Sequence, residues 1–230
     1  MKFLRHPLGI TTLLAFNGGF VDTAGFLGLH GLFVAHVTGN FVTLGAALVN
    51  GSHGVVNKIL ALPEFIMVVA LARLAGHGLR VTDLSTARIL FAVKVGLLLA
   101  FFLLAVIYGP FDDGDSPTAL LTGFAGIAAM AMQNAVQRVH MADMPPSTVM
   151  TGTTVQATMD AVDLLTNWRS ELRAQTIVRF RRLCLSLFSF AIGCAAAALL
   201  YAFVGFWCLA LTVLVGTLTA AMQPRELKES

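Results

Sequence analysis

Residues 21–44 read VDTAGFLGLHGLFVAHVTGNFVTL, and this stretch decides which fold the sequence predicts. It is apolar over most of its length, yet it contains Asp22, His30 and His36, and four glycines loosen its backbone. A later stretch, residues 134–153, reads NAVQRVHMADMPPSTVMTGT and follows the same order. Each stretch has a polar residue in an apolar helix, a Gly- or Pro-rich break, a Thr-Gly pair and a second apolar run. The pattern indicates an internal repeat.

The spacing within the two stretches agrees to one residue. Asp22 lies 17 positions before Gly39, and Asn134 lies 18 positions before Gly152. The two halves therefore match with one inserted residue.

Composition places the chain in a membrane. Of its 230 residues, 57% are hydrophobic and only 12% are charged, and the mean hydropathy is +0.81. A soluble domain carries about a quarter charged residues, and several apolar runs here approach the ~20 residues that cross a bilayer core. Apolar and polar residues do not alternate in these runs as they do in the strands of a membrane barrel. Hydrocarbon favours helices, because a helix forms all its backbone hydrogen bonds within its own segment. We predict an all-α, polytopic transmembrane helix bundle with six to eight membrane segments.

The domain prediction is a single integral membrane domain over residues 1–230. Repeat one covers about residues 8–108 and repeat two about residues 118–222. The first span, residues 8–29, is expected to be interrupted at Asn17-Gly18-Gly19 and at Asp22.

Loop charge favours one topology, because Lys and Arg near span ends prefer the cytoplasmic side. If the Thr-Gly segments are re-entrant or broken, the N-terminus, the loop at residues 73–88 and the five-arginine connector at residues 168–182 are all inside. The acidic loop GPFDDGDSP, residues 109–117, is then outside. This gives six crossings and two inverted halves. Eight crossings are the alternative, and they place two of the clearest loops against the rule.

Polar residues inside the spans have a functional and a structural interpretation. A carboxylate in hydrocarbon costs about 3 kcal/mol unless it faces protein or water, so Asp22 is either a solute or proton site or a group that bonds a neighbouring helix. His36 could pass protons, but a neutral imidazole bonding across helices is the favoured interpretation. Glu64 and Lys94 lie near span ends, where they are expected to reach the interface.

The Thr-Gly pairs suggest broken helices. Glycine lets the backbone break, a threonine hydroxyl can satisfy a freed carbonyl, and broken helices build the midplane site of many transporters. A close helix–helix contact through small residues is the alternative. The candidate substrate-binding residues are the polar and Thr-Gly positions of both stretches: Asp22, His36, Thr38, Gly39, Asn40, Gln133, Asn134, Thr151, Gly152 and Thr153.

Other function classes find little support. No nucleotide-binding loop, HExxH, GxSxG or cysteine-pair motif occurs, so we do not expect an enzyme or a cofactor, although an intramembrane enzyme using Asp22 and His36 stays open. The three cysteines lack metal-ligand spacing. The net charge of +3 fits basic cytoplasmic loops, so no nucleic-acid partner is expected. The expected partners are membrane lipids, and the candidates beyond them are a small-molecule solute and further copies of the chain.

Three segments together resemble a known family. GGFVDTAGFLGLHGLFVAHVTGNFVTLG at residues 18–45, AMAMQNAVQRV at residues 129–139 and TVMTGT at residues 148–153 are similar to the YoaK-like family of bacterial integral membrane proteins. The family is known largely as a domain of unknown function. The resemblance implies a multi-pass protein of the bacterial inner membrane and assigns no roles to the motif residues. Pro145-Pro146 departs from the pattern by making a stiffer break.

Two functions stay open at this point. The leading one is a small transporter or channel for a small solute, with its site where the Thr-Gly segments meet. It requires a polar cavity lined by Asp22, His36, Asn40, Gln133 and Asn134. The second is a non-transporting scaffold or regulatory protein, in which those groups would bond one another in a dry bundle.

Overall fold

The computed structural model describes residues 7–51, 54–79, 86–166 and 172–222, and all regular structure in these ranges is helical. The basic N-terminus and C-terminal tail lie outside the described residues, as do residues 80–85 and 167–171. The predicted connector at residues 168–182 is therefore described only in its second part, which is helical from Arg173 onward rather than a loop. The helices in chain order are α1 (Pro7–Gly28), α2 (Asn40–Asn50), α3 (Val55–Leu79), α4 (Thr86–Tyr108), α5 (Pro117–His140), α6 (Met150–Thr166), α7 (Arg173–Val204) and α8 (Leu209–Ala221). Short 3₁₀ turns, Val37–Gly39 and Gly205–Cys208, precede α2 and α8. The predicted all-α bundle is confirmed.

Five helical stretches among the described residues are long and apolar enough to cross a membrane. They are Leu8–Gly28, Val55–His77, Thr86–Tyr108, Pro117–His140 and Arg173–Ala221. The last stretch contains both α7 and α8, and the chain turns between them at Gly205, whose φ of 54° lies in the left-handed region that favours glycine. Large apolar side chains such as Phe188 and Phe203 are exposed on α7, as expected for a surface that faces lipid. The chain is an integral membrane protein with several spanning helices.

The helices pack in a small number of pairs. α1 lies against α7 and α8, while α5 lies against α3 and α4. α4 also packs on α8, and the short helices α2 and α6 pack on α3 and α7 respectively. The contact between α1 and α5 is smaller than these.

Helix α1 is continuous through Asn17-Gly18-Gly19, so the predicted interruption of the first span is wrong. Gly19 instead allows α7 to approach closely, because a Cβ there would collide with the carbonyl oxygen of Phe190. Gly193 on α7 has the reciprocal role, since its Cβ would collide with the carbonyl oxygen of Phe16. Small residues that bring two backbones together are typical of helix contacts in membranes.

One end of the bundle, called here the His30 end, gathers the end of α1, the start of α3 and the loop between α4 and α5. His30 Nε2 lies 2.8 Å from the carbonyl oxygen of Phe111, and the Lys58 ammonium donates to the carbonyl oxygen of His30 at 2.7 Å. The Asp115 carboxylate caps α3 by accepting hydrogen bonds from the four backbone N–H groups of residues 54–57. The segment between His30 and Gly54 therefore leaves this end and returns to it.

The opposite end, called the Arg138 end, gathers the end of α3, the start of α4 and the end of α5. Arg73, Thr86 and Arg138 line one pocket there, of about 570 Å³. Asp143, which follows α5, lines a second pocket together with Ala174 at the start of α7. The chain from the end of α5 to the start of α7 thus also begins and ends at one end of the bundle.

The buried apolar side chains form two clusters, stacked along the bundle. The first core cluster lies toward the His30 end and includes Phe20, Val21, Leu98, Phe101, Ile127, Met130 and Leu209. The second core cluster lies toward the Arg138 end and consists of Ile10, Leu14, Ala72, Leu90, Phe91, Met132 and Val136.

Candidate functional site

Asp22 holds the segment that follows α1. Its side chain is only 4% exposed, and it lies six residues before Gly28, the last residue of the helix. Oδ1 accepts hydrogen bonds from the backbone N–H groups of Ala35 at 2.7 Å and His36 at 3.3 Å. Oδ2 lies 2.8 Å from Nδ1 of His36. The carboxylate thus satisfies two backbone donors that the non-helical segment leaves without helical partners.

Asn40 closes the same segment into a loop. Its side-chain amide pairs with the backbone of Phe33 in both directions: the Phe33 N–H donates to Oδ1 at 2.8 Å, and Nδ2 donates to the Phe33 carbonyl at 2.7 Å. Asn40 is 1% exposed. We call the contacts of Asp22 and Asn40 with residues 33–36 the first clasp.

A pocket of about 470 Å³ opens beside the first clasp. It brings together four of the predicted site residues, Asp22, His36, Thr38 and Gly39. Phe190 and Cys194 of α7 form the facing wall, along with Phe26, Phe33 and Thr23. The Phe190 ring lies edge-on to the His36 imidazole, with centroids 5.4 Å apart. With Nδ1 engaged by Asp22, a molecule in the pocket can reach the imidazole through Nε2.

The second half has a corresponding set of contacts, called here the second clasp. Asn134 lies six residues before His140, the last residue of α5, and its Oδ1 accepts from the Thr148 hydroxyl at 2.7 Å. Gln133 Nε2 donates to Ser147 Oγ at 2.9 Å and to the carbonyl of Leu14 on α1 at 3.0 Å. The segment between α5 and α6 is therefore held at its tip, as the segment after α1 is.

Gln137 and Ser147 complete the second clasp, and the sequence interpretation missed both. Gln137 Nε2 donates to the Pro145 carbonyl at 2.8 Å, and its Oε1 accepts from the backbone N–H of Ser147 at 3.0 Å. Gln137 lies one helical turn after Gln133, so the two side chains share one face of α5. This spacing, shortly before a Pro-Pro break, was the feature of the sequence that could have indicated Gln137.

The second Thr-Gly pair lies in the first turn of α6. Thr151 and Gly152 are exposed, whereas Thr153 is buried and its hydroxyl donates to the Val149 carbonyl at 2.8 Å. A Cβ on Gly152 would meet no atom closer than the Val149 side chain at 3.9 Å, so a close backbone approach at Gly152 is not found. At Gly39 a Cβ would lie 3.0 Å from the ring of Phe33, which is a tight contact.

The ten predicted residues do not line one shared cavity. The hydrogen bonds of Asp22, His36 and Asn40 stay in the first half, and those of Asn134 and Thr153 stay in the second. Of the candidate side chains, Gln133 crosses between the halves through its bond to Leu14.

The expectation that Lys94 and Glu64 reach the interface is wrong for Lys94. Lys94 is 0% exposed, and its Nζ has no hydrogen-bond partner among the described residues. Glu64 lies nine residues inside α3, because that helix begins at Val55 rather than near residue 59. Its side chain is half-buried, and Oε2 has no hydrogen-bond partner in the described part of the chain.

An ion pair fastens α6 to α7. Arg179 donates to both carboxylate oxygens of Asp160, at 2.9 and 2.7 Å, and Gln156 donates to Oδ1 at 2.7 Å. The Arg179 guanidinium holds the pKa of the Asp160 carboxyl below its usual range. The described residues contain no group of three His, Cys, Asp or Glu side chains placed to hold a metal ion.

The model of a protein family of unknown function, DUF1275, matches residues 10–222. No curated protein and no solved structure shows significant similarity to the chain.

Proposed function

The chain belongs to the DUF1275 family, which includes the YoaK-like proteins, and on this premise we propose that it is a small-solute transporter or channel of a bacterial inner membrane. The resemblance to the YoaK-like family is thereby confirmed, while the family itself assigns no activity. The proposal rests on the geometry of the two clasps.

The observation that carries the proposal is the matched position of the two clasps. In each half, a polar side chain six residues before the end of a long helix holds the residue 14 positions further on: Asp22 holds His36, and Asn134 holds Thr148. Each held residue lies at the inner tip of a segment that returns to the end of the bundle where it started. Non-helical backbone at membrane depth is tolerated only where protein or a water-filled cavity surrounds it. Transporters use such broken segments to form solute sites.

The packing supports two halves of inverted topology. The main helix contacts map onto one another when each helix of the first half is exchanged with its counterpart in the second. The counterparts are α1 and α5, α2 and α6, α3 and α7, and α4 and α8. The contact of α1 with α7 corresponds to that of α5 with α3, and the contact of α1 with α8 corresponds to that of α5 with α4. Inverted repeats of this kind underlie alternating access in several transporter folds.

The charge distribution supports one orientation. The Arg138 end carries Arg73, Arg88, Arg138 and the arginines at the start of α7, whereas the His30 end carries the aspartates of the loop between α4 and α5. Basic residues near span ends prefer the cytoplasm. In this proposal the Arg138 end faces the cytoplasm and the His30 end faces outward.

In this proposal the pocket beside the first clasp is a solute entrance. Asp22 fixes the orientation of the His36 ring, and Thr38 and Gly39 bring hydroxyl and backbone groups to the pocket wall. The 3₁₀ turn and α2 begin at the pocket, so the positive end of a short helix faces any molecule bound there. A polar solute of few atoms suits this combination of one imidazole, the two threonines Thr23 and Thr38, and aromatic walls.

The scaffold function has an observation of its own. Asp22 accepts three hydrogen bonds from its own half, and the candidate groups do not converge on one cavity. Polar groups satisfied in this way are what a dry bundle requires. Solute flux distinguishes the two functions.

The experiment uses the pocket cysteine. In purified protein with Cys184 and Cys208 replaced by serine, Cys194 is the single thiol and lies in the pocket wall. We expect proteoliposomes to move at least one member of a panel of urea, glycerol, acetate, ammonium and small amino acids faster than protein-free vesicles do. A bulky maleimide should block this flux, whereas the same reagent should leave the Cys194→Ser control active. If no solute moves faster than through empty vesicles, the transport proposal fails and the scaffold function is favoured.

A further inference from the structure

We infer that Lys94, Asn17 and Gln133 form a binding site for a small monovalent anion at the centre of the bundle. None of the three contributes to the pocket beside the first clasp. Lys94 and Asn17 also take no part in either clasp.

The three side chains carry polar atoms that are buried without partners. Lys94, Asn17 and Gln133 are each 0% exposed. Within the described residues, Lys94 Nζ, both amide atoms of Asn17 and Oε1 of Gln133 have no hydrogen-bond partner. The contact that Lys94 Nζ does make is with the Phe91 ring, whose centroid is 5.9 Å away. Buried polar groups are nearly always satisfied, so these four atoms require a partner.

Helical register brings the three groups to one level. On α4, Lys94 lies about one turn from Phe91 of the second core cluster and from Leu98 of the first. On α1, Asn17 stands in the same way between Leu14 of the second cluster and Val21 of the first.

On helix α5, Gln133 stands three residues after Met130 of the first core cluster, and it lies between Met132 and Val136 of the second. The three polar residues therefore lie close to the boundary between the two clusters. Close-packed apolar side chains on both sides of this boundary limit a ligand to a few heavy atoms.

Charge decides the sign of the ligand. An ammonium buried alone is strongly unfavourable, and it is retained when a counter-charge or a ligand accompanies it. Among the described elements that pack against α4, α8 and the turn before it have no charged residue, and the buried face of α5 has none. Helix α3 also contacts α4 and carries Glu64, but the Lys94 ammonium makes no hydrogen bond to that carboxyl. The Asp22 carboxylate of α1 is already bound to residues 35 and 36. No carboxylate of the described chain pairs with Lys94, so the missing partner is an anion.

The donors and acceptors fit such an anion. An ammonium has three N–H donors, and the amide oxygens of Asn17 and Gln133 can take two of them directly or through water. The third N–H and the Asn17 Nδ2 group then remain for the ligand. Formate, acetate, nitrate and chloride are small enough to test.

The experiment measures the melting temperature of the purified full-length chain in detergent, with gluconate as the large background anion. Wild type should show a saturable rise on titration with at least one of formate, acetate, nitrate and chloride. At ten times the dissociation constant the rise should be about 3–6 °C. Lys94→Met should lose this rise and should melt higher than wild type in gluconate alone, because it removes an unpartnered ammonium. Arg88→Met, which removes an exposed cation from the same helix, should keep the rise.

A second variant guards against misfolding of Lys94→Met. Asn17→Asp places a carboxylate within the chain where the anion would bind, so it should raise the melting temperature in gluconate and abolish the response to added anions. A wild type that shows no saturable rise with any of the four anions overturns the inference. An equal rise in wild type and Lys94→Met also overturns it, and so does an Asn17→Asp variant that still responds.

Discussion

Asp22 should contribute far more to stability than Asn134, its counterpart in the second clasp, and Asp22→Ala tests this. Truncation removes three hydrogen bonds and leaves the backbone N–H groups of Ala35 and His36 without their acceptor. A buried donor left unsatisfied costs about 1–3 kcal/mol. Ala35 is buried, so its N–H belongs at the upper part of that range, and half-buried His36 belongs at the lower part.

The expected loss for Asp22→Ala is therefore about 3–5 kcal/mol, with the lost His36 side-chain contact included. Asn134→Ala is the matched control, because it occupies the corresponding position of the second half. It removes two hydrogen bonds, one from the Thr148 hydroxyl, which can rotate toward another acceptor, and one to the Met130 carbonyl, which lies within the same helix, and it should cost about 1 kcal/mol. Asp22→Asn keeps one acceptor oxygen and should fall between, at about 1–2 kcal/mol.

Unfolding in mixed micelles of mild detergent and dodecyl sulfate, followed by far-UV circular dichroism, measures the three free energies of unfolding. The order Asp22→Ala, Asp22→Asn, Asn134→Ala, from most to least destabilised, is the expected result. An Asp22→Ala variant within 1 kcal/mol of Asn134→Ala would refute the assignment of Asp22 as the group that holds the segment.

Three further predictions concern packing, pH and flux. Gly193→Ala should destabilise the bundle by about 1–3 kcal/mol, because the added Cβ meets the Phe16 backbone. Gly96→Ala faces open space and should be neutral or stabilising by up to about 1 kcal/mol. Unfolding curves of the two variants, measured side by side, test this difference. Asp160→Asn should lower the melting temperature at pH 7. Because Arg179 lowers the pKa of Asp160, the stabilisation from this pair is present above about pH 4 and is lost as the pH falls below that value. A difference in melting temperature between variant and wild type that does not narrow in acid would contradict the pairing. Asp22→Asn should still fold but lose the dependence of solute uptake on a proton gradient in proteoliposomes, and uptake that keeps its gradient dependence would exclude Asp22 from proton coupling.

Much of the architecture could be predicted from the sequence, because hydrocarbon allows few solutions. The apolar runs and the low charge predicted the helical bundle. The break predicted at the Thr-Gly pairs is found at Thr38-Gly39, which lies in a 3₁₀ turn, but not at Thr151-Gly152, which lies in the first turn of α6. The importance of Asp22 was also predicted, since a carboxylate inside a span needs a partner. Its partners were not, because the backbone N–H groups of residues 35 and 36 reach Asp22 only after the segment folds back.

Two errors have a common physical origin. Asn17-Gly18-Gly19 looked like a break because glycine is a poor helix former, but contact with α7 makes a missing side chain favourable there. Lys94 looked like an interfacial residue because lysines near span ends usually extend to water. Its burial depends on the face of α4 that carries Leu90, Phe91, Leu98 and Phe101, all of which are buried. The helical spacing of these four residues can be read from the sequence, but the helices that cover them cannot.

Cysteine accessibility tests the two re-entrant segments most directly. In a background without the three native cysteines, Thr38→Cys and Thr151→Cys each place one exposed thiol near the tip of one returning segment. Inverted halves predict that a membrane-impermeant thiol reagent labels Thr38→Cys from the periplasmic side of the membrane. The same reagent should label Thr151→Cys from the cytoplasmic side. Labelling of both positions from the same face would contradict the inverted arrangement on which the transport proposal is built.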